Sequence, residues 1–393
     1  MLDVIELFRE KETRDELGIG VVRDAFADAF FPGTSTIQTR ARYFLFVPWI
    51  YRQLERHGVG SARVARMARQ REIALIKPLA SSEDSAGTIG VRARKNLKRL
   101  PSSIYWQGLW EWGIRLFPGS QEQYHRSLDG YHAFVGHTNR DDGEIADELP
   151  AGNWRAGLPA ESEGFPQEAS FSLRRVEADY LRERILAAHP RSLLAFLVDR
   201  GHEVGGVEFP WEHPQFGEFP DHIREELEHA RNFSETIHGA ALLYNLMLAE
   251  ELSATGEPND LVELYGGWLG DWASSLEERQ PDLAVWDRER FWELVASEGA
   301  QVSTLTRAFI DAWLELALDG AGAVGVASDE DACRLIRERE RLLKRGQARL
   351  GNRGALELWN GAAGIQPLSY RWPSARVIVA DILRGLEGED GDA

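Results

Sequence analysis

Ser234-Glu235-Thr236-Ile237-His238-Gly239-Ala240-Ala241-Leu242-Leu243-Tyr244-Asn245-Leu246-Met247-Leu248-Ala249-Glu250-Glu251-Leu252 reads as a helix that is apolar on nearly every side. Ile237, Ala241, Leu242, Leu246 and Leu248 fill most of its circumference, and a helix of that kind belongs in a core. Its polar members Ser234, His238 and Asn245 fall on one stripe, so burial obliges them to be hydrogen-bonded. Such a stripe serves either as a network that fixes helix packing or as the wall of a polar pocket. Packing is the commoner use of buried polar networks.

Outward from this segment the helical pattern continues. Helices are expected near Asp221–Arg231, Asp260–Leu276, Arg288–Glu298, Thr304–Ala317, Asp331–Arg345 and Ser374–Leu386. Upstream, Asp3-Val4-Ile5-Glu6 resembles a capping box that opens a short helix, and a second helical stretch runs from Arg23 to Phe31. Pro32-Gly33 makes a turn, and Thr34, Ser35 and Thr36 are candidate N-caps for a helix bearing Ile37, Ala41, Phe44, Leu45 and Pro48 on one face. A basic helix from Ala62 to Lys77, a polar loop, the basic run Arg92–Arg99 and an aromatic helix from Ile104 to Phe117 follow. That order resembles a winged-helix or helix-turn-helix unit, without a turn consensus. The fold class is mainly α and multi-helical, with a C-terminal helical bundle. The expected domains are a basic helical region at 1–138, an acidic Gly/Pro-rich connection at 139–168, and an acidic helical region at 169–393 with an irregular insert at 201–220.

The 43% hydrophobic and 27% charged composition excludes wholesale disorder. Most of the thirteen Trp are expected to be half-buried anchors in helix packing, with one wet edge. A single Cys333 excludes an intramolecular disulfide and fits a reducing cytoplasm. No secretory signal is read, and the most apolar windows, such as Ala240–Leu248, are too short for a bilayer span, so no membrane is expected.

The net charge of −18 is unevenly spread. Residues 36–126 carry 16 Lys and Arg against 6 Asp and Glu, whereas 127–330 carry 14 against 40. The segment 331–354 is basic again, at 8 against 3. Segregation of this kind points to partners, although two opposite faces can also pair internally. Arg40, Arg42, Arg63, Arg66, Arg92, Arg94, Lys95, Lys98 and Arg99 are therefore candidate contacts for a DNA or RNA phosphate backbone. Arg334, Arg337, Arg341 and Arg345 form a second basic stripe, spaced for one helix face. Glu340 and Lys344 are spaced to pair there, which favours a solvated, self-paired surface.

Six of ten histidines, His189, His202, His213, His222, His229 and His238, crowd the middle of the chain. None has the spacing that zinc pairs use, so they read as scattered residues and no metal or other cofactor is expected. No phosphate-binding Gly loop, no H-E-x-x-H, no nucleophile elbow and no Cys–His pair is present. A common enzyme type would show one of these.

Phe31-Pro32-Gly33-Thr34-Ser35-Thr36-Ile37-Gln38-Thr39-Arg40-Ala41-Arg42-Tyr43-Phe44 resembles the signature of family 6361 of the domains of unknown function. Thr13–Gly20, Pro101–Trp106, Phe233–Asn245 and Ser369–Trp372 are similar to further segments of that family, so the resemblance spans nearly the whole chain. It departs at the beginning, where members have a short stretch ahead of the first helix read here. The resemblance implies a bacterial protein encoded beside helicases and phospholipase D-like nucleases, in neighbourhoods that look like phage defence, and it assigns no catalytic residues. The expected role is a non-catalytic, nucleic-acid-associated or assembly component. The alternative is a divergent nuclease or nucleotide-acting toxin with a polar pocket around His238, Asn245 and Arg371.

Overall fold

The computed structural model describes residues 15–138, 152–202, 206–254, 256, 260–318 and 322–388. The short helix expected to open at Asp3, residues 203–205 of the expected insert, and 139–151 of the connecting segment lie outside these residues. Helices of eight residues or more run in chain order as α1 (Gly20–Phe30), α2 (Tyr43–Arg56), α3 (Ser61–Ala74), α4 (Pro101–Glu111), α5 (Gln121–Thr138), α6 (Arg175–Ala188) and α7 (Leu193–Arg200). They continue as α8 (Asp221–Ser253), α9 (Leu261–Glu278), α10 (Arg288–Ser297), α11 (Thr304–Leu318), α12 (Glu330–Lys344) and α13 (Trp372–Glu387). Among the described residues there is no strand, and an isolated bridge joins Arg115 to Trp154. The fold is mainly α and multi-helical. A winged helix needs a β-hairpin as its wing, and the described residues supply none. Among them, no helix is long and apolar enough to cross a membrane.

The chain divides into two compact units. One comprises Met1–Ala27 and Pro220–Tyr370, the other Asp28–Phe219 and Arg371–Ala393.

In the unit formed by 28–219 and 371–393, α2 is the central element. Every residue from Tyr43 to Tyr51 is buried, with Pro48 inside the helix. Phe44 stacks on Trp112 with ring centroids 3.8 Å apart, and Tyr105 meets Phe44 edge-on. The turn at Pro32-Gly33 is fixed by the same cluster. Gly33 has φ +77°, and the Cβ that any other residue would carry falls 2.5 Å from Trp112 Nε1.

Thr34, Ser35 and Thr36 do not cap α2, which begins seven residues later than Thr36, at Tyr43. The intervening chain is held in a non-helical path from outside. Tyr105 Oη accepts from the Thr39 and Arg40 backbone N–H groups and donates to the Arg40 carbonyl. Tertiary bonds here outweigh local helical periodicity.

In the unit formed by 1–27 and 220–370, the two helices expected at Asp221–Arg231 and Ser234–Leu252 are one, the 33-residue α8. Asn232 does not break it, because its side-chain oxygen accepts from Arg279 Nη2 at 2.7 Å instead of capping a new helix. Gly239 lets the Trp272 ring of α9 lie against the α8 backbone, where a Cβ would meet that ring at 2.1 Å.

Sequence periodicity anticipates α9 to α13 to within about two residues but passes over α5, α6 and α7. The tryptophans differ from expectation as well. Trp49, Trp112, Trp313 and Trp372 are fully buried, and their indole N–H groups donate to the carbonyls of Pro159, Pro32, Thr236 and Val207. A backbone acceptor replaces the wet edge. Trp110, at 41%, is the most exposed tryptophan.

Candidate nucleic-acid interface

The basic helix and the basic run come together on one surface. In α3, Val64, Ala68 and Glu72 face inward, which turns Arg63 and Arg66 outward on adjoining turns. One turn further, Arg69 reaches across to the loop. Its Nη1 donates to the Leu97 carbonyl and its Nη2 to the Lys95 carbonyl, both at 2.8 Å. Leu97 is buried beneath this clamp, while Arg92, Arg94, Lys95, Lys98 and Arg99 are all exposed around it.

These cations differ from most others on the molecule. Arg175 pairs with Asp179, Arg182 with Asp179, Arg231 with Glu235 and Arg353 with Glu357, each within a helical turn. Among the described residues, no carboxylate lies within ion-pair distance of Arg63, Arg66, Arg94, Lys95, Lys98 or Arg99. Positive charge is concentrated there without local neutralisation, which attracts polyanions.

Arg40 and Arg42 do not belong to this surface. Both are about 5% exposed. Arg40 grips Asp381 with Nε at 2.9 Å and Nη2 at 2.8 Å, donates to Asp84 at 2.6 Å, and lies over the Phe171 ring. Burial disfavours its charge, but the hydrogen bonds to Asp381 and Asp84 outweigh that and hold the guanidinium more firmly protonated than usual. Arg42 donates to Glu177 at 3.0 Å, to the Ser170 carbonyl at 3.0 Å and to Ser162 Oγ at 3.1 Å. A buried Arg needs such a set of acceptors, and neither residue is left to meet a phosphate.

The second basic stripe is exposed at Arg334, Arg337, Arg341 and Arg345, and Arg334 is paired with Asp331. Glu340 is not part of a solvated face. It is completely buried and accepts from Tyr244 Oη, the Arg349 and Leu350 backbone N–H groups and Lys344. These donors overcome burial and hold its carboxyl below the usual range.

The stripe on α8 is structural. Asn245 exchanges hydrogen bonds with the Ala363 backbone, and His238 Nε2 meets the Ile365 carbonyl at 2.8 Å. Ser234 Oγ both donates to and accepts from Leu368. Burial lowers the His238 pKa, so the ring is neutral and donates from Nε2. Arg371 instead donates to Asp28 and the Thr34 carbonyl. The three residues of the pocket reading are each committed to separate partners.

The other histidines are dispersed. His189 binds the Glu111 carbonyl, His213 Nδ1 accepts from the Gln215 N–H, and His229 Nδ1 accepts from Trp286 Nε1. Among the described residues, no group of three or more His, Cys, Asp or Glu is placed to hold a metal ion.

One buried titratable group escaped the sequence reading. Glu72 accepts from the Ser102 N–H and Oγ, each at 2.8 Å, at the start of α4. Gln121 links Ser102 Oγ to Tyr51 Oη, which meets His125 Nε2 at 3.0 Å. Burial pushes the Glu72 carboxyl up to about 7 despite these donors. The available signal was position: an acid at the third step of the inward stripe begun by Val64 and Ala68.

The segments that carry the family resemblance are thus structural anchors: Gly33 at a tight turn, Arg40 and Arg42 in buried ion pairs, and Tyr105 bonded to the Thr39–Arg40 backbone. No curated protein and no solved structure matches the chain. A family model covers residues 2–384, and the chain belongs to the family of unknown function DUF6361.

Proposed function

We propose that this protein is a non-catalytic, nucleic-acid-associated component of a bacterial phage-defence system, working in the cytoplasm with a helicase or a phospholipase D-like nuclease. The observation that carries the nucleic-acid part is the set of exposed cations Arg63, Arg66, Arg94, Lys95, Lys98 and Arg99 on α3 and the 92–99 loop, joined by Arg69 and, among the described residues, with no carboxylate within ion-pair distance. The ligand is duplex phosphate backbone. Residues 61–100 contain no Phe, Trp, Tyr or His, so α3 and the 92–99 loop themselves offer unpaired bases no ring to stack on. The defence role and the helicase or nuclease partner follow from the family resemblance, and the reading withdraws Arg40 and Arg42 from the contact set.

Binding of the full chain to duplex and single-stranded DNA at rising salt tests the proposal. Duplex affinity should fall steeply with salt, by about 0.9 in log–log slope for each phosphate neutralised. Charge reversal at Arg94 and Arg99 should abolish binding while leaving the fold intact. Absence of binding at low salt, or indifference to both reversals, ends the reading. Co-purification with an adjacently encoded helicase or nuclease in nuclease-treated extract separates an assembly role from nucleic-acid bridging.

A further inference from the structure

The 92–99 loop is held in a defined shape. Arg94 adopts φ +47°, a left-handed conformation uncommon for a non-glycine residue. Its N–H donates to the Gly90 carbonyl, and the Asn96 and Leu97 N–H groups donate to Ala93 and Arg94. Gly90, at φ +91°, admits Leu97 and Ile76 where a Cβ would lie 2.8 and 3.0 Å from their side chains. Two carbonyls on the other side of the loop, Lys95 and Leu97, receive both terminal nitrogens of Arg69. A planar guanidinium suits two acceptors held at a fixed spacing, and an ammonium does not.

We infer that Arg69 is a positioning residue for the basic surface: it braces the loop so that Arg94, Lys95, Lys98 and Arg99 are presented as a preformed set, without itself neutralising a phosphate. This rests on the phosphate-binding reading above. A surface ordered before encounter loses less freedom on binding, so removing the brace weakens affinity although the cations remain.

Three variants of the full chain, Arg69→Ala, Arg69→Lys and Arg94→Ala, are compared by duplex affinity across a salt series and by amide hydrogen exchange without DNA. Arg69→Ala should raise exchange at Asn96 and Leu97 and weaken binding by about tenfold with an unchanged salt slope. Arg94→Ala should reduce the slope by about 1, as loss of a phosphate contact does. Arg69→Lys keeps the charge but loses the fork, so it should resemble Arg69→Ala. Wild-type-like binding by Arg69→Lys, a reduced slope in Arg69→Ala, or unchanged exchange in the loop overturns the brace. If the wild type fails to bind duplex, the functional reading falls, and the exchange measurement still decides whether Arg69 orders the loop.

Discussion

Glu72 and Glu340 are both buried glutamates on helices, and they answer burial in opposite ways. Glu340 is met by a tyrosine hydroxyl, two backbone N–H groups and the Lys344 ammonium, and its carboxyl is held low. Glu72 is met by the N–H and hydroxyl of one serine, with Arg69 acting only through the field, and its carboxyl rises to about 7. Burial penalises both charges; the number and charge of the donors decides the outcome. One site is built for an anion, the other accommodates a proton.

The largest effect should come from breaking the anion site. Glu340→Ala leaves the Tyr244 hydroxyl and the Arg349 and Leu350 N–H groups without their acceptor and takes from Lys344 one of its two carboxylate partners, and should cost about 3–5 kcal/mol in denaturant unfolding. A loss below 1 kcal/mol would erase the distinction between the sites.

Glu72→Gln should do the reverse. The folded state holds the Glu72 proton more tightly than the unfolded chain, so this residue's contribution falls as pH rises from the ordinary carboxylate range through about 7, then levels off. The neutral variant should therefore match wild type at pH 4 and exceed it by about 3 kcal/mol at pH 8. Parallel stability–pH curves would contradict the assignment.

Tyr244→Phe tests what holds Glu340 low. Removing the hydroxyl should cost about 2 kcal/mol at neutral pH. Because a depressed carboxyl gives stability above its unfolded pKa and loses it as pH falls through the folded value, acid unfolding should begin at higher pH in this variant. The smallest change is expected for Ser102→Ala. It removes one of the two donors to Glu72 and should move that carboxyl further upward at a cost of about 1 kcal/mol, measurable by side-chain NMR titration.

The sequence makes one member of this pair visible and misplaces it. Glu340 was legible as the i, i+4 partner of Lys344, and that pair exists at 3.3 Å, but its burial depends on Tyr244 and Leu350. Glu72 was passed over, although it continues the Val64–Ala68 spacing of the inward stripe. The buried α8 segment, its polar stripe and the later helices followed from periodicity, because those signals are local. Arg40 was misread because its counter-charge lies 341 residues away, beyond any window of local pattern. The exposed cations of α3 and the 92–99 loop were readable as residues. Their union through Arg69 was not, because it runs to main-chain carbonyls that leave no mark in the sequence.

The Arg40–Asp381 pair also sets a timetable. A ribosome adding about 5–20 residues per second makes Arg40 wait on the order of 20–70 s for the carboxylate that neutralises it. Throughout that interval the unit formed by 28–219 lacks α13, and a guanidinium destined for the interior must remain hydrated or borrow the nearby Asp84. Completion of this unit therefore waits on residues 371–393, and until they are made the Arg40 guanidinium lacks the carboxylate that grips it through two of its nitrogens.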